Sequence, residues 1–225
     1  MKKKGFAIAI DGPVGVGKST TARFVAQKLK MAYIDTGAMY RSVALYQMEN
    51  GLDMNDDKSL EKSLKDIDIV IKNVKGAQRI FLNNRDVTDL IRAQEVSEGA
   101  SVVAANLRVR EKLVSQQRQM AGAGRVVMDG RDIGSHVLPW AQVKIYLDAA
   151  LETRAKRRML DLQAKGHDAE FDKIRKETVI RDERDKNRKH NPLIKANDAI
   201  YLNNGFMTPE ETADEIILLV REREA

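Results

Sequence analysis

Residues Gly12-Pro-Val-Gly-Val-Gly-Lys18-Ser19 fit the pattern G-x-x-x-x-G-K-[ST] in full. Glycines in such a loop let successive backbone N–H groups converge on phosphate oxygens, and the following helix directs its positive end at them. Lys18 is placed to reach the β and γ phosphates. The Ser19 hydroxyl is placed to ligate a Mg²⁺ ion that bridges them. An apolar strand pattern precedes the motif and an amphipathic helix pattern follows it, which is the context this chemistry needs. Gly12, Pro13, Val14, Gly15, Val16, Gly17, Lys18, Ser19 and Thr20 are therefore expected to bind the phosphates of ATP.

Such a loop does not choose its acceptor. Water would make an NTPase; a small molecule would make a kinase. No N-K-x-D segment is present to read guanine, and 225 residues leave little room for a motor's coupling domain. The acceptor has to be read from a second set of charges.

Three segments supply that set. YIDTGAMYR (33–41) sets Asp35, Thr36 and Gly37 at a strand end, with Arg41 one turn later. VVMDGRDIG (126–134) sets Asp129, Gly130, Arg131 and Asp132 at the end of another strand. In IRDERDKNR (180–188), Arg181, Asp185 and Arg188 fall within about 60° of one another on a helix. Arg154, Arg157 and Arg158 share a face farther upstream in ETRAKRRML. A charged helix face is ordinarily only solvated. Arginines from four separated segments, however, suit a site that brings two phosphorylated nucleotides together, where preorganised cations must hold like charges close.

The elements that must position these groups are legible as runs. Apolar stretches at 6–10, 32–35, 125–129, 143–148 and 199–202 read as buried strands alternating with helices. That pattern predicts a five-stranded parallel α/β sheet covered on both faces, with ligands beyond the C-terminal strand ends. Thr208, Pro209 and Glu211 mark the start of a final packing helix. IDIVIKN and QRIFLNN, separated by VKGA and followed by NNRD, predict a small antiparallel insert near 67–91.

Composition bounds the rest. The chain has no cysteine, which excludes disulfides, thiolate catalysis and cysteine-ligated zinc. The net charge of +6 suits either nucleic acid or small polyanions. The arginine sets explain it locally, and no aromatic platform is interleaved with the basic residues, so no nucleic-acid partner is expected. MKKK reads as a solvated tail, and FAIAI is too short for a signal core or a membrane span. A cytoplasmic monomer is expected. His136, His167 and His190 have no metal-ligand spacing, and Trp140 reads as packing.

Taken together, DGPVGVGKST, DTGAMYR, the segment carrying Ser101 and Arg110, DGRDIG and RDERDKNR resemble the bacterial cytidylate kinases, of the nucleoside monophosphate kinase group. The phosphate loop is generic; the other motifs in combination are specific. The resemblance runs over nearly the whole chain. It implies a P-loop kinase fold with a core at 1–35, 101–150 and 188–225. A monophosphate-binding region at 36–100 and a lid with acceptor-binding helix at 151–187 would complete it. The implied reaction transfers the γ-phosphoryl group of ATP to CMP or dCMP.

The implied roles follow by motif position. Lys18, Arg131, Arg181 and Arg188 would act in transfer, and Arg157 would contact ATP. Arg41, Arg131 and Arg188 would hold the CMP phosphate, with Thr36, Gly37 and Gly130 in the acceptor site. Arg181 and Asp185 would bind the acceptor nucleotide, Asp185 through a ribose hydroxyl. Ser101, Arg110 and Asp132 would read cytosine, whose exocyclic amine donates to a carboxylate where uracil presents a carbonyl. Asp129 would orient Mg²⁺, directly or through water. Ser101 and Arg110 stand nine positions apart, on opposite faces of an unbroken helix. Their joint role requires a bend or break between them, expected around Asn106. Kinases for other small acceptors, such as shikimate, have no reason to carry the base-reading set.

Overall fold

A computed structural model describes residues 5–74, 77–122, 124–164, 166 and 168–224. The MKKK tail, the centre of the VKGA turn and His167 lie outside them. The chain divides into two compact units, Met1–Tyr33 with Ala121–Ala225, and Ile34–Met120.

The first unit is built on a parallel sheet. Its strands are β1 (Ala7–Asp11), β2 (Ala32–Asp35), β6 (Val126–Gly130), β7 (Val143–Asp148) and β8 (Ile200–Asn203). Strands β3, β4 and β5 (Ile69–Val74, Ala77–Leu82 and Arg85–Asp86) form a separate sheet in the second unit. The order β2-β6-β1-β7-β8 puts β1 at the centre, with β2 leading the chain out of the first unit. Every residue of β1 and β6 is buried, which is why both read as unbroken apolar runs rather than alternating ones. Edge strand β8 alternates instead.

Register matters more than count here. Asp11 of β1 pairs beside Gly130 of β6, so the segments that leave these strands, Gly12 onward and Arg131 onward, start side by side. The phosphate loop leads into α1 (Lys18–Lys28), which packs with α8 (Pro209–Glu224) over the sheet. Ile8, Val25, Val127, Ile145, Ile216 and Val220 belong to the core these elements share. Helix α8 opens with the expected reciprocal cap: Glu211 N–H donates to Thr208 Oγ1, and Thr208 N–H donates to the Glu211 carboxylate. Helices α6 (Leu151–Ala164) and α7 (Phe171–Asn187) pack on each other as a hairpin.

The second unit holds α2 (Thr36–Glu49), α3 (Asp57–Ser63), α4 (Gln94–Val103) and α5 (Leu107–Ala121) around its own core. Its sheet is the antiparallel meander β3-β4-β5 expected near 67–91. Asn83 and Asn84 take positive φ at the tight turn between β4 and β5. Asparagine tolerates that conformation and so closes the hairpin there.

Two helical expectations resolve differently. The segment from Ser101 to Arg110 does break: α4 stops at Val103 and α5 starts at Leu107. Asn106 Oδ1 accepts from the N–H groups of Arg108 and Val109, capping the new helix. Arg188, placed on the helical face of Arg181 and Asp185 by spacing, is instead the first residue past α7, with extended backbone (φ −62°, ψ 140°). The chain folds back there, with Leu193 N–H donating to the Asp185 carbonyl across 2.8 Å.

Candidate active site

Gly12 to Thr20 form a loop between β1 and the first turn of α1. The loop is drawn tightly onto its surroundings. A Cβ on Gly12 would lie 2.2 Å from the Leu147 carbonyl oxygen, so only glycine fits where the loop leaves the sheet. Its outward carbonyls are occupied: Val14 O accepts from Arg154, and Val16 O accepts from Asn204 Nδ2 at 2.9 Å. Lys18 Nζ donates to Pro13 O at 2.7 Å. None of the described residues accepts from the N–H groups of Gly15, Val16 or Gly17. That leaves a row of donors at a helix N-terminus, a cradle for an anion.

The sheet register brings the second segment beside this loop. Asp129 accepts from both sides: Ser19 Oγ donates to Oδ2 at 2.8 Å, and Tyr33 Oη donates to Oδ1 at 2.8 Å. Hydroxyl and carboxylate oxygens are hard donors of the kind Mg²⁺ takes, with phosphate and water completing its shell. The residues therefore fit the ion.

Arg131 donates Nε to Asp185 at 2.7 Å. Burial alone would lower the Arg131 pKa, but the carboxylates of Asp185, Asp182 and Asp129 outweigh it and hold the guanidinium charged. Burial would raise Asp185, and Arg131, Arg181 and Arg188 together pull it below the usual carboxylate range. Arg188 Nε donates to Asn191 O, and its terminal nitrogen donates to Asp132 at 3.0 Å. Burial first, then the Arg131 charge, lowers the Lys18 ammonium well below its ordinary value, against the pull of Asp129 and Asp185. Lys18, Arg131, Asp132, Arg181, Asp185 and Arg188 thus form one electrostatic cluster within the first unit.

Arg157 spreads over the loop after β8, donating to the carbonyls of Asn204 at 2.8 Å and Met207 at 3.1 Å. Burial lowers its pKa. Thr20 is exposed in the first turn of α1. Gly130 is the last residue of β6.

In the second unit, Thr36 and Gly37 open α2 and Asp35 caps it, accepting from Ala38 N–H at 2.9 Å. The other Asp35 oxygen accepts from Arg41 at 2.9 Å and faces Arg92 at 3.4 Å. Arg41 Nε is buried with no hydrogen-bond partner among the described residues. Ser101 is buried on α4, and Arg110, 1% exposed on α5, lies over the Tyr40 ring at 5.8 Å.

Several supporting residues escaped the sequence reading. Asp11 accepts from Ile133 N–H at 2.8 Å and Gly134 N–H at 2.7 Å, just past Asp132. Asp182 accepts from Val14 N–H and Arg154. Tyr33, Arg92 and Asn204 also belong here. Position at a strand end could have flagged Asp11, as it did Asp35; nothing in the sequence marks Asn204.

Along nearly its whole length the chain is similar to known proteins. The profile of the family "Cytidylate kinase" matches residues 8–222. A cytidylate kinase of Bacillus pumilus (strain SAFR-032) is 46% identical over 217 residues, covering 96% of this chain and 96% of the relative. One from Bacillus subtilis (strain 168) is 44% identical over 223 residues, covering 99% of each. Among solved structures, a gluconokinase from Sinorhizobium meliloti 1021 superposes with a TM-score of 0.50 at 14% identity, covering 99% of this chain and 96% of that one. That last likeness concerns the fold alone. The profile and the two relatives span nearly every motif described above, and on that ground the chain belongs to the cytidylate kinase family.

Proposed function

We propose that the chain transfers the γ-phosphoryl group of ATP to CMP or dCMP, producing ADP and the corresponding diphosphate. The observation that carries this reading is the pairing of Arg131 with Asp185 and of Arg188 with Asp132 beside Lys18. Two arginines held by carboxylate partners are preorganised cations, which phosphoryl transfer between anions requires.

The loop Gly12–Thr20 would take the ATP phosphates, Lys18 the β and γ oxygens, and Arg157 a further donor contact. Ser19 and Asp129 would hold Mg²⁺, which when bound neutralises charge on the transferring group. Arg41, Arg131 and Arg188 would hold the CMP phosphate, with Arg181 beside them and Asp185 on the ribose. Ser101, Arg110 and Asp132 would read the base. No general base is needed, because a monophosphate acceptor is already ionised at neutral pH. The working division has 36–100 as the monophosphate-binding region and 151–187 as lid and acceptor helix. The enzyme would act on free nucleotides as a cytoplasmic monomer. Among the described residues no helix is long and apolar enough to cross a membrane.

The deciding experiment is an acceptor panel with ATP and Mg²⁺, read as ADP release. CMP and dCMP should support turnover well above UMP, AMP and shikimate. A better rate with UMP or AMP would overturn the assignment of cytosine to Asp132.

A further inference from the structure

Asp182 belongs to the R-D-x-x-D-x-x-R segment, yet the reaction above gives it no task. It lies on the buried stripe of α7 with Ile174, Thr178 and Asp185, 4% exposed. Its partners lie far away in sequence. Oδ1 accepts from the Val14 N–H of the phosphate loop at 3.1 Å, and Oδ2 accepts from Arg154 at 2.6 Å. Arg154, also buried, donates to the carbonyls of Val14 at 3.0 Å and Ala149 at 2.9 Å. Both backbone polar groups of Val14 are thus held by this one ion pair. At the next residue the loop lies flush on α6: a Cβ on Gly15 would come 2.8 Å from the Arg154 carbonyl oxygen.

A buried ion pair is a poor way to gain stability, since apolar residues of similar size do as well or better. It is a good way to fix a register. Helix α7 carries Arg181 immediately before Asp182 and Asp185 one turn after it, and Asp185 in turn holds Arg131. We propose that Asp182, acting through Arg154 and Val14, is a positioning residue for phosphoryl transfer: it fixes the donor-phosphate loop to the helix that carries the acceptor-binding groups. The inference rests on the phosphotransferase reading. Donor and acceptor oxygens must stand in line, and the protein supplies little beyond that placement and charge.

Asp182→Asn tests it. Asparagine offers one acceptor and one donor where two donors face it, so either Val14 or Arg154 loses its contact. With CMP as acceptor, kcat should fall about 10- to 100-fold, while the Kd of a fluorescent ATP analogue and the KM for CMP change by less than about three-fold. A kcat within two-fold of wild type would overturn the proposal. So would a loss of ATP-analogue affinity in proportion to the loss of rate, which is what general loosening would give. Should D182N prove unfolded, the variant Arg154→Met with Asp182→Asn removes both charges and is read the same way. If wild type ignores CMP, the functional reading fails, and the split between rate and affinity is then measured with the acceptor that wild type does use.

Discussion

Arg188 and Asp132 form an ion pair at 3.0 Å with side chains only 5% and 6% exposed, the two residues standing 56 positions apart in sequence. Removing the cation takes a charge partner away from a buried carboxylate. Arg188→Met should therefore destabilise the protein by about 3 kcal/mol or more. Adding Asp132→Asn should recover much of that loss, because the carboxylate charge that Arg188 balanced is gone. Urea unfolding of the single and double variants checks both outcomes. In the folded R188M enzyme, turnover of the acceptor should fall far more than affinity for ATP.

Asp129 is gripped at both oxygens, by Ser19 and by Tyr33. Ser19→Ala deletes a candidate metal donor, whereas Tyr33→Phe deletes only a group that aims the carboxylate. The Mg²⁺ concentration for half-maximal rate should rise about ten-fold in the second, the low end of the range seen when groups behind a ligand are removed, and by more in the first. Titrating Mg²⁺ at saturating nucleotides measures the two, and equal effects would argue against this ranking.

Asp11 ties β1 to the turn after Asp132 and gives stability an uncommon pH trend. Burial raises its carboxyl from 3.8 to about 7, although the N–H groups of Gly134 and Ile133 lower it. A carboxyl raised on folding stabilises most below its unfolded pKa, and that contribution is lost as pH rises through about 7. The shift corresponds to about 4 kcal/mol. The stability difference between wild type and Asp11→Asn should shrink steadily from pH 4 to pH 7 and then level off. Asp185, whose pKa is lowered, works in the opposite direction in both proteins and cancels in the difference. Denaturant unfolding across that range gives the curve.

How much of this could be read beforehand depended on whether a residue's partner was a side chain or a backbone group. The strands were legible because β1 and β6 are buried on both faces and so cannot alternate. The cap of α8 was legible because Thr208 and Glu211 answer each other within one turn. Asp182 and Asp11 were not, since each satisfies backbone N–H groups more than 120 positions away, and a backbone donor leaves no mark on residue type. Arg188 was placed on a helix because spacing alone assumes the helix continues. The fold-back onto the Asp185 carbonyl ends it one residue earlier.

Asn106 is where local structure and base recognition meet. Chemistry asked for a break between Ser101 and Arg110, although no proline stands there to cause one. Asn106 supplies it by accepting two N–H groups of α5, and its amide donates to Asp57 at 2.6 Å, tying the junction to α3. Asn106→Ala should cost about 1–2 kcal/mol by loss of the cap. A helix that then runs on toward α4 would turn Arg110 away from the face of Ser101. Discrimination between CMP and UMP, as a ratio of kcat/KM values, should fall several-fold while the KM for ATP stays near that of wild type. Asn106→Asp keeps the capping oxygens but sets a second carboxylate against Asp57, so it should hold the discrimination and lose stability. If Asn106→Ala lowered stability and left the CMP preference intact, Ser101 and Arg110 would not be reading the base together.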